Sequence, residues 1–424
     1  VVNNNNLNIS ISFNESEKFY VERINVLGNQ ITLEEVIRNT LIVDEGDPLN
    51  EILFNKSINN LKAKGIFKSV KHTISDGSGP NLKTINLEVE EKATGEISLG
   101  AGVGTSGGSI GGGIKENNFL GKGIKLDSNI QMDENRLSGQ FIYSKPNFNY
   151  TDNTLFTSFR STSTDYIKDY GYKTNENSLS LGTTFEQYEN LYFSPSLSTS
   201  FESLETTSIA TDNLKKQKGD YFDAYFNYGL DYDMRNQRYQ ATDGSRTYFA
   251  QQLPIISENR EIINTFEVTN YKTLVSDMVG KISFYSQTAN SLTDDDVRIS
   301  KRLYVPYKKL RGFQKGKVGP KDKESFVGGN YVSSLNMSAT LPQILPSLQN
   351  TDFAFFIDMA NVWGVDYDSS LDDKSTIRSS TGLSIDLLTV IGPLNFSFAE
   401  TITKASSDKT ESFRFNIGTS FWWK

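Results

Sequence analysis

The sequence has no cysteine and one histidine, His72, in 424 residues. Without thiols there is no disulfide framework and no thiolate metal site. A single imidazole leaves zinc centres of the common types, Ser-His-Asp triads and Cys-His dyads without their parts. No metal site and no cofactor are therefore expected, and His72 reads as an ordinary strand residue. Proline and methionine are scarce, at 10 and 5 residues. No apolar run approaches the roughly eighteen residues that a membrane-spanning helix needs; Phe353 to Ala360 is among the longest. The basic excess of a nucleic-acid surface is missing too, since 51 acidic residues against 43 basic ones leave a net charge of −8. Val1-Val2-Asn3-Asn4 has neither the charged start nor the apolar core of a secretory leader, which suggests a mature or truncated form.

Glycine and aromatics are plentiful instead, with 32 Gly, 20 Tyr and 27 Phe spread through Ser-, Thr- and Asn-rich segments. From Ala93 onward, apolar residues recur at every second position. Examples are Leu179/Leu181/Thr183/Phe185, Phe222/Ala224/Phe226/Tyr228, Phe353/Phe355/Ile357/Met359 and Leu394/Phe396/Phe398. Polar or small residues fill the alternate places. A sheet with lipid on one side and a polar lumen on the other requires this pattern, and it keeps mean hydropathy low. A soluble sandwich would not offer Leu, Phe, Ile and Tyr so regularly to its outer side, and no short repeat supports a β-helix. At roughly ten residues per strand plus connections, 93–424 suits about sixteen antiparallel strands closed into a transmembrane β-barrel.

The preceding segment, 16–92, has helical punctuation. A strand from Tyr20 to Val26 ends at Gly28-Asn29. Thr32 with Glu35 reads as a capping box for a first helix, whose apolar face is Leu33, Val36 and Ile37. Pro48 opens a second helix carrying Ile52, Leu53, Ile58 and Leu61, stopped by Gly65. Strands Phe67 to Ile74 and Leu82 to Val89 follow. The expectation is a small α/β domain of order β-α-α-β-β. Residues 1–15, with Leu7, Ile9, Ile11 and Phe13 alternating, read as the tail of a preceding domain.

Several motifs stand in order along the chain. Asn117-Asn118-Phe119-Leu120-Gly121 follows a glycine-rich first strand, and Thr242-Asp243-Gly244-Ser245-Arg246 opens a middle one. Leu310-Arg311-Gly312-Phe313 comes before Val318-Gly319-Pro320. Phe355 to Trp363 carries Asp358, Ile391-Gly392-Pro393 marks a turn, and an aromatic strand from Phe413 to Phe421 ends the chain. In this ordered set the sequence resembles the BamA family of outer-membrane β-barrel assembly factors, over nearly its whole length.

The resemblance implies a POTRA domain at 16–92, a sixteen-stranded barrel at 93–424, and a location in the bacterial outer membrane with POTRA domain and C-terminus in the periplasm. It implies no enzymatic activity. The partners would be unfolded outer-membrane proteins, accessory periplasmic lipoproteins and outer-membrane lipids, with no nucleic acid. Leu310, Arg311, Gly312 and Phe313 would form a loop inside the lumen. Phe413, Phe415, Asn416, Gly418 and Phe421 would belong to the C-terminal β-signal. Gly100, Gly102 and Gly104 lie on one face of the first strand. They either weaken its pairing, as a lateral gate between first and last strands needs, or only ease barrel curvature. Related readings are a TamA-like autotransporter assembly factor and a two-partner secretion transporter.

An Arg311 in the lumen needs a carboxylate. Resemblance nominates Asp358, and parity agrees, because Phe353, Phe355 and Ile357 would face lipid. Thr340 cannot supply the second acid often found on the preceding strand. Asp386, inward by parity and at a similar count from its turn, is expected as the second partner.

Overall fold

A computed structural model describes residues 2–3, 6–7, 17–105, 107–238, 241–275, 278–341, 351–371, 376–389 and 392–418. Ile9, Ile11 and Phe13 of the expected N-terminal strand and Phe421 of the terminal one lie outside the described residues. The chain divides into two compact units, 1–95 with 116–124, and 96–115 with 125–424.

The first unit has the expected order: β1 (Tyr20–Leu27), α1 (Glu34–Arg38), α2 (Glu51–Ala63), β2 (Phe67–Asp76) and β3 (Leu82–Glu91). The sheet runs β1-β3-β2, with β1 parallel and β2 antiparallel to β3. Val21, Ile24, Ile37, Phe54, Ile58, Leu61, Ile85 and Leu87 form its core. His72 sits on β2 with its ring edge-on to Phe54.

Two local expectations change. The capping box does not form. The residue before α1 is Leu33, in extended backbone with no side-chain cap. Instead Glu91, from the end of β3, accepts hydrogen bonds from the backbone N–H groups of Gln30, Ile31 and Thr32, the last at 2.6 Å. A carboxylate from a distant strand thus fixes the segment that leads into α1, while the helix itself has no side-chain cap. In α2, the N-cap is Asn50, whose side chain accepts from the Leu53 N–H. Phe54, Ser57, Ile58 and Leu61 face the core, whereas Ile52 is 82% exposed. The helix starts at Glu51 rather than at Pro48, and its buried residues repeat at i, i+3, i+4 and i+7 from Phe54. Gly65, at φ +69°, ends it.

The second unit is a closed antiparallel barrel of sixteen strands. They are β4 (Gly95–Gly104), β5 (Gly107–Phe119), β6 (Ile124–Asp133), β7 (Arg136–Lys145), β8 (Thr154–Tyr166), β9 (Tyr172–Tyr188), β10 (Leu191–Thr206) and β11 (Gly219–Asp233). The ring continues through β12 (Gly244–Ile256), β13 (Glu261–Thr273), β14 (Val279–Ser291), β15 (Tyr331–Thr340), β16 (Thr351–Trp363), β17 (Arg378–Thr389), β18 (Gly392–Thr403) and β19 (Phe413–Gly418), which pairs with β4.

Alternation follows the sequence pattern. Ile97, Leu99, Leu179, Leu181, Phe222, Phe284, Phe355 and Phe398 point outward and are exposed. Glu202, Asp223, Glu261 and Asp358 point inward and are buried. Closure leaves no sheet edge, which is the condition for a β-structure to cross a bilayer. An even number of strands puts both ends of the barrel chain on one side. The connections 207–218 and 292–330 leave from the other.

Candidate functional site

The connection between β14 and β15 enters the lumen and crosses it. Its chemistry shows this, because its cations meet inward-facing acids on widely separated strands. Arg298 is fully buried. It makes two hydrogen bonds to Glu261 on β13, at 2.9 and 3.0 Å, and a third to Asp223 on β11 at 2.6 Å. Glu202 on β10 lies 3.4 Å away, and the guanidinium stacks 4.5 Å from the Tyr221 ring centre. Lys301 pairs with Glu176 on β9 at 2.9 Å, and Arg302 pairs with Asp366 after β16. This end of the strap is fastened to β9, β10, β11 and β13, and by Arg302 to the residues that follow β16.

The other end carries Leu310-Arg311-Gly312-Phe313 and meets β16 and β17. Leu310 and Phe313 are buried in an apolar cluster with Val318, Val332, Ala360 and Val362. Arg311 donates from Nε and Nη2 to the two carboxylate oxygens of Asp358, at 2.7 and 2.8 Å, and from its backbone N–H at 3.0 Å. Its guanidinium lies 3.5 Å from the Phe356 ring centre. Two parallel bonds in the guanidinium fork fix orientation as well as charge. Gly312 adopts φ +85°, and an added Cβ would stand 3.1 Å from the Cβ atoms of Ser380 and Ala399. Glycine therefore meets two requirements there, a left-handed turn and close contact with the wall. The Ser380 hydroxyl on β17 donates to the Arg311 carbonyl at 2.5 Å.

The structure brings Arg311 to Asp358 and not to Asp386. In register, Asp358 stands opposite Ser380 on β17, while Asp386 stands opposite Asp352, six residues further along β16. That offset is about 20 Å of strand. Asp386 accepts instead from Asn395 at 2.6 Å. The expectation fails because Thr351 and Asp352 are already paired in β16, so Asp352 does not mark a turn. The second polar group at the site is Asn336 on β15, directly opposite Asp358. Its amide donates to Asp358 at 2.9 Å and to the Lys309 carbonyl at 2.7 Å. The site carries a neutral donor where a second acid was sought.

At the barrel closure, the described register joins Asn416 to Gly104, Ile417 to Val103 and Gly418 to Gly102. In two of these three pairs at least one partner is glycine, so only Ile417 and Val103 offer side chains from both strands. Gly100, Gly102 and Gly104 share the parity opposite to the exposed Ile97, Leu99 and Val103, which places them on the lumenal face. Phe413 and Phe415 stack on the outside of β19, with rings 5.9 Å apart.

Arg298 and Arg414 escaped the sequence reading. Arg414 is inward by parity between Phe413 and Phe415, and is buried. It donates to the carbonyls of Tyr307 at 2.8 Å and Phe313 at 2.6 Å, and pairs with Glu411 at 2.6 Å. The signal was available: inward parity in a strand read only for its aromatics. For Arg298, the signal was three inward acids on neighbouring strands without a cation of their own.

The Omp85 superfamily domain matches residues 118–421, and the POTRA family, described as a surface antigen variable number repeat, matches 19–92. Outer membrane protein assembly factor BamA of Neisseria meningitidis serogroup B is 23% identical, over 95% of this chain and 57% of its own length. The chain thus spans little more than half of this curated relative. The crystal structure of BamA from Haemophilus ducreyi lacking POTRA domains 1–3 superposes with a TM-score of 0.82 at 23% identity, covering 95% of this chain and 85% of that one. CdiB from Acinetobacter baumannii gives a TM-score of 0.57 at 12% identity, with coverage of 95% and 74%. With its family domain matched over most of its length, and with a POTRA unit followed by a sixteen-stranded barrel, the chain belongs to the Omp85 superfamily.

Proposed function

We propose that this chain folds β-barrel proteins and inserts them into the bacterial outer membrane through the seam between β4 and β19. The observation that carries the reading is the seam itself, where glycines on β4 meet Asn416 and Gly418 on β19. Cross-strand side-chain contacts stabilise a sheet, and glycine offers none. An unfolded strand entering lipid leaves its backbone groups unpaired at several kcal/mol each. A strand edge freed at this seam pairs those groups as the client enters, by strand addition. The reaction needs no covalent step. Relatives named as outer membrane protein assembly factors support the same reading.

The barrel fold and the family indicate the bacterial outer membrane. In the proposed orientation the long connections face outward, and the POTRA unit and C-terminus face the periplasm, as short turns do in such barrels. The POTRA sheet leaves β1 and β2 as its outer strands. These edges are the proposed docking places for client segments or accessory lipoproteins. Arg311 and Asp358 hold the strap in its working position.

The chain has no native cysteine, so a pair placed at Val103 and Ile417, opposite one another in the register, forms one defined crosslink. Complete oxidation is expected to stop assembly of a client barrel in proteoliposomes, and reduction to restore it. Undiminished assembly with the seam fully crosslinked sinks lateral opening.

A further inference from the structure

We propose that Tyr307 and Arg414 form a lumenal latch across the seam, so that β19 leaves β4 only when it also leaves the strap. This deepens the seam reading above and rests on it for its meaning in assembly.

Tyr307 belongs to the strap, three residues before Leu310. Its ring lies 3.6 Å below the guanidinium of Arg414 on β19. Its carbonyl accepts from Arg414 Nη1 at 2.8 Å, and its hydroxyl stands 3.3 Å from Oγ1 of Thr105, the residue that follows β4. One strap residue therefore touches both strands of the seam. Arg414 spreads its remaining donors over the same strap, with Nη2 at 2.6 Å from the Phe313 carbonyl and 3.4 Å from that of Leu310. Glu411 takes Nε at 2.6 Å. Next to this contact, the Thr105 N–H donates to the Phe415 carbonyl at 3.3 Å.

The chemistry explains the residue types. Three carbonyls and a carboxylate around a flat cation suit the guanidinium fork, and one face of its plane is covered by an aromatic ring. A lysine offers one point of charge and cannot reach four acceptors in this geometry. The strands themselves contribute little side-chain contact at Gly102/Gly418 and Gly104/Asn416. The strap supplies what they lack, and because Arg311 fixes it to Asp358 on β16, the latch is anchored three strands away from the seam. Tyr307 and Arg414 are positioning residues: they act on the pairing of two strands and touch no client in this arrangement.

Hydrogen exchange reads the opening equilibrium of the seam directly, without a client, on the full chain in lipid or detergent. Tyr307→Phe keeps the ring and removes only the hydroxyl, and is expected to speed exchange in 97–105 and 413–418 about fivefold, the worth of one ordinary hydrogen bond. Arg414→Gln removes the stack and the charged donors, and is expected to speed it about tenfold or more. Exchange in β9, around Leu179 to Gly182, serves as control and stays unchanged in both, which a general loosening of the barrel would not allow. Should Arg414→Gln fail to fold, as judged by lost heat-modifiable gel mobility, Tyr307→Phe alone decides. Seam exchange equal to that of the unaltered protein, or raised equally in β9, overturns the latch. A crosslinked seam that still assembles clients overturns the lateral reading instead, and leaves the exchange result standing.

Discussion

Asp358 has no exposed surface, and four donors meet it: the backbone N–H, Nε and Nη2 of Arg311 and the amide of Asn336. Burial makes the pair asymmetric. Removing the cation leaves a desolvated carboxylate, which costs about 3–5 kcal/mol, whereas removing both charges costs much less. Arg311→Ala is therefore expected to lower the temperature at which the barrel loses its compact gel mobility. Adding Asp358→Asn to it is expected to recover part of the loss, while Asp386→Asn changes nothing. A double variant as unstable as the sum of its single ones would show that the two side chains act independently.

At the scale of elements, the strands of the barrel could be read from periodicity, because a strand between lipid and lumen has no other way to arrange its residues. Register could not. Asp386 was placed beside Arg311 by counting from a turn, and the register puts it six positions away. The turn into a helix was equally hard, since the group that holds it can come from elsewhere in the chain. Glu91 shows this in the segment that leads into α1. Burial raises its pKa, but the Thr32 side chain and the N–H groups of Thr32, Ile31 and Gln30 pull harder in the other direction, so the carboxyl sits below its ordinary value. A folded pKa below the unfolded one means stability that is present above the unfolded value, near 4.3, and lost as pH falls through the folded one. Glu91→Gln keeps an acceptor oxygen but not the charge. It is expected to cost the first unit about 1 kcal/mol at pH 7, after allowance for solvent. Amide exchange at 30–32 should rise in the variant at pH 7, and the difference from the unaltered protein should shrink as the pH is lowered below 4.

For the molecule as a whole, a polar lumen creates a problem that the strap solves. A barrel of sixteen strands is wide enough to conduct ions, but this one holds a chain segment fastened at both ends. Arg298 ties one end to β10, β11 and β13, and Arg311 ties the other to β16. Ion pairs buried in this way are shielded from salt, so the strap should remain in place at high ionic strength. Releasing one end leaves the other attached, together with Lys301 on Glu176. Arg298→Ala or Arg311→Ala alone is therefore expected to give brief openings in planar bilayers, and the two together a steady conductance. The acids left behind, Glu202, Asp223, Glu261 and Asp358, all face the lumen, so the opened path should favour cations. A double variant that conducts no more than the unaltered protein, while still migrating as a folded barrel, would mean that the apolar contacts of Leu310 and Phe313 hold the strap without help from the charges.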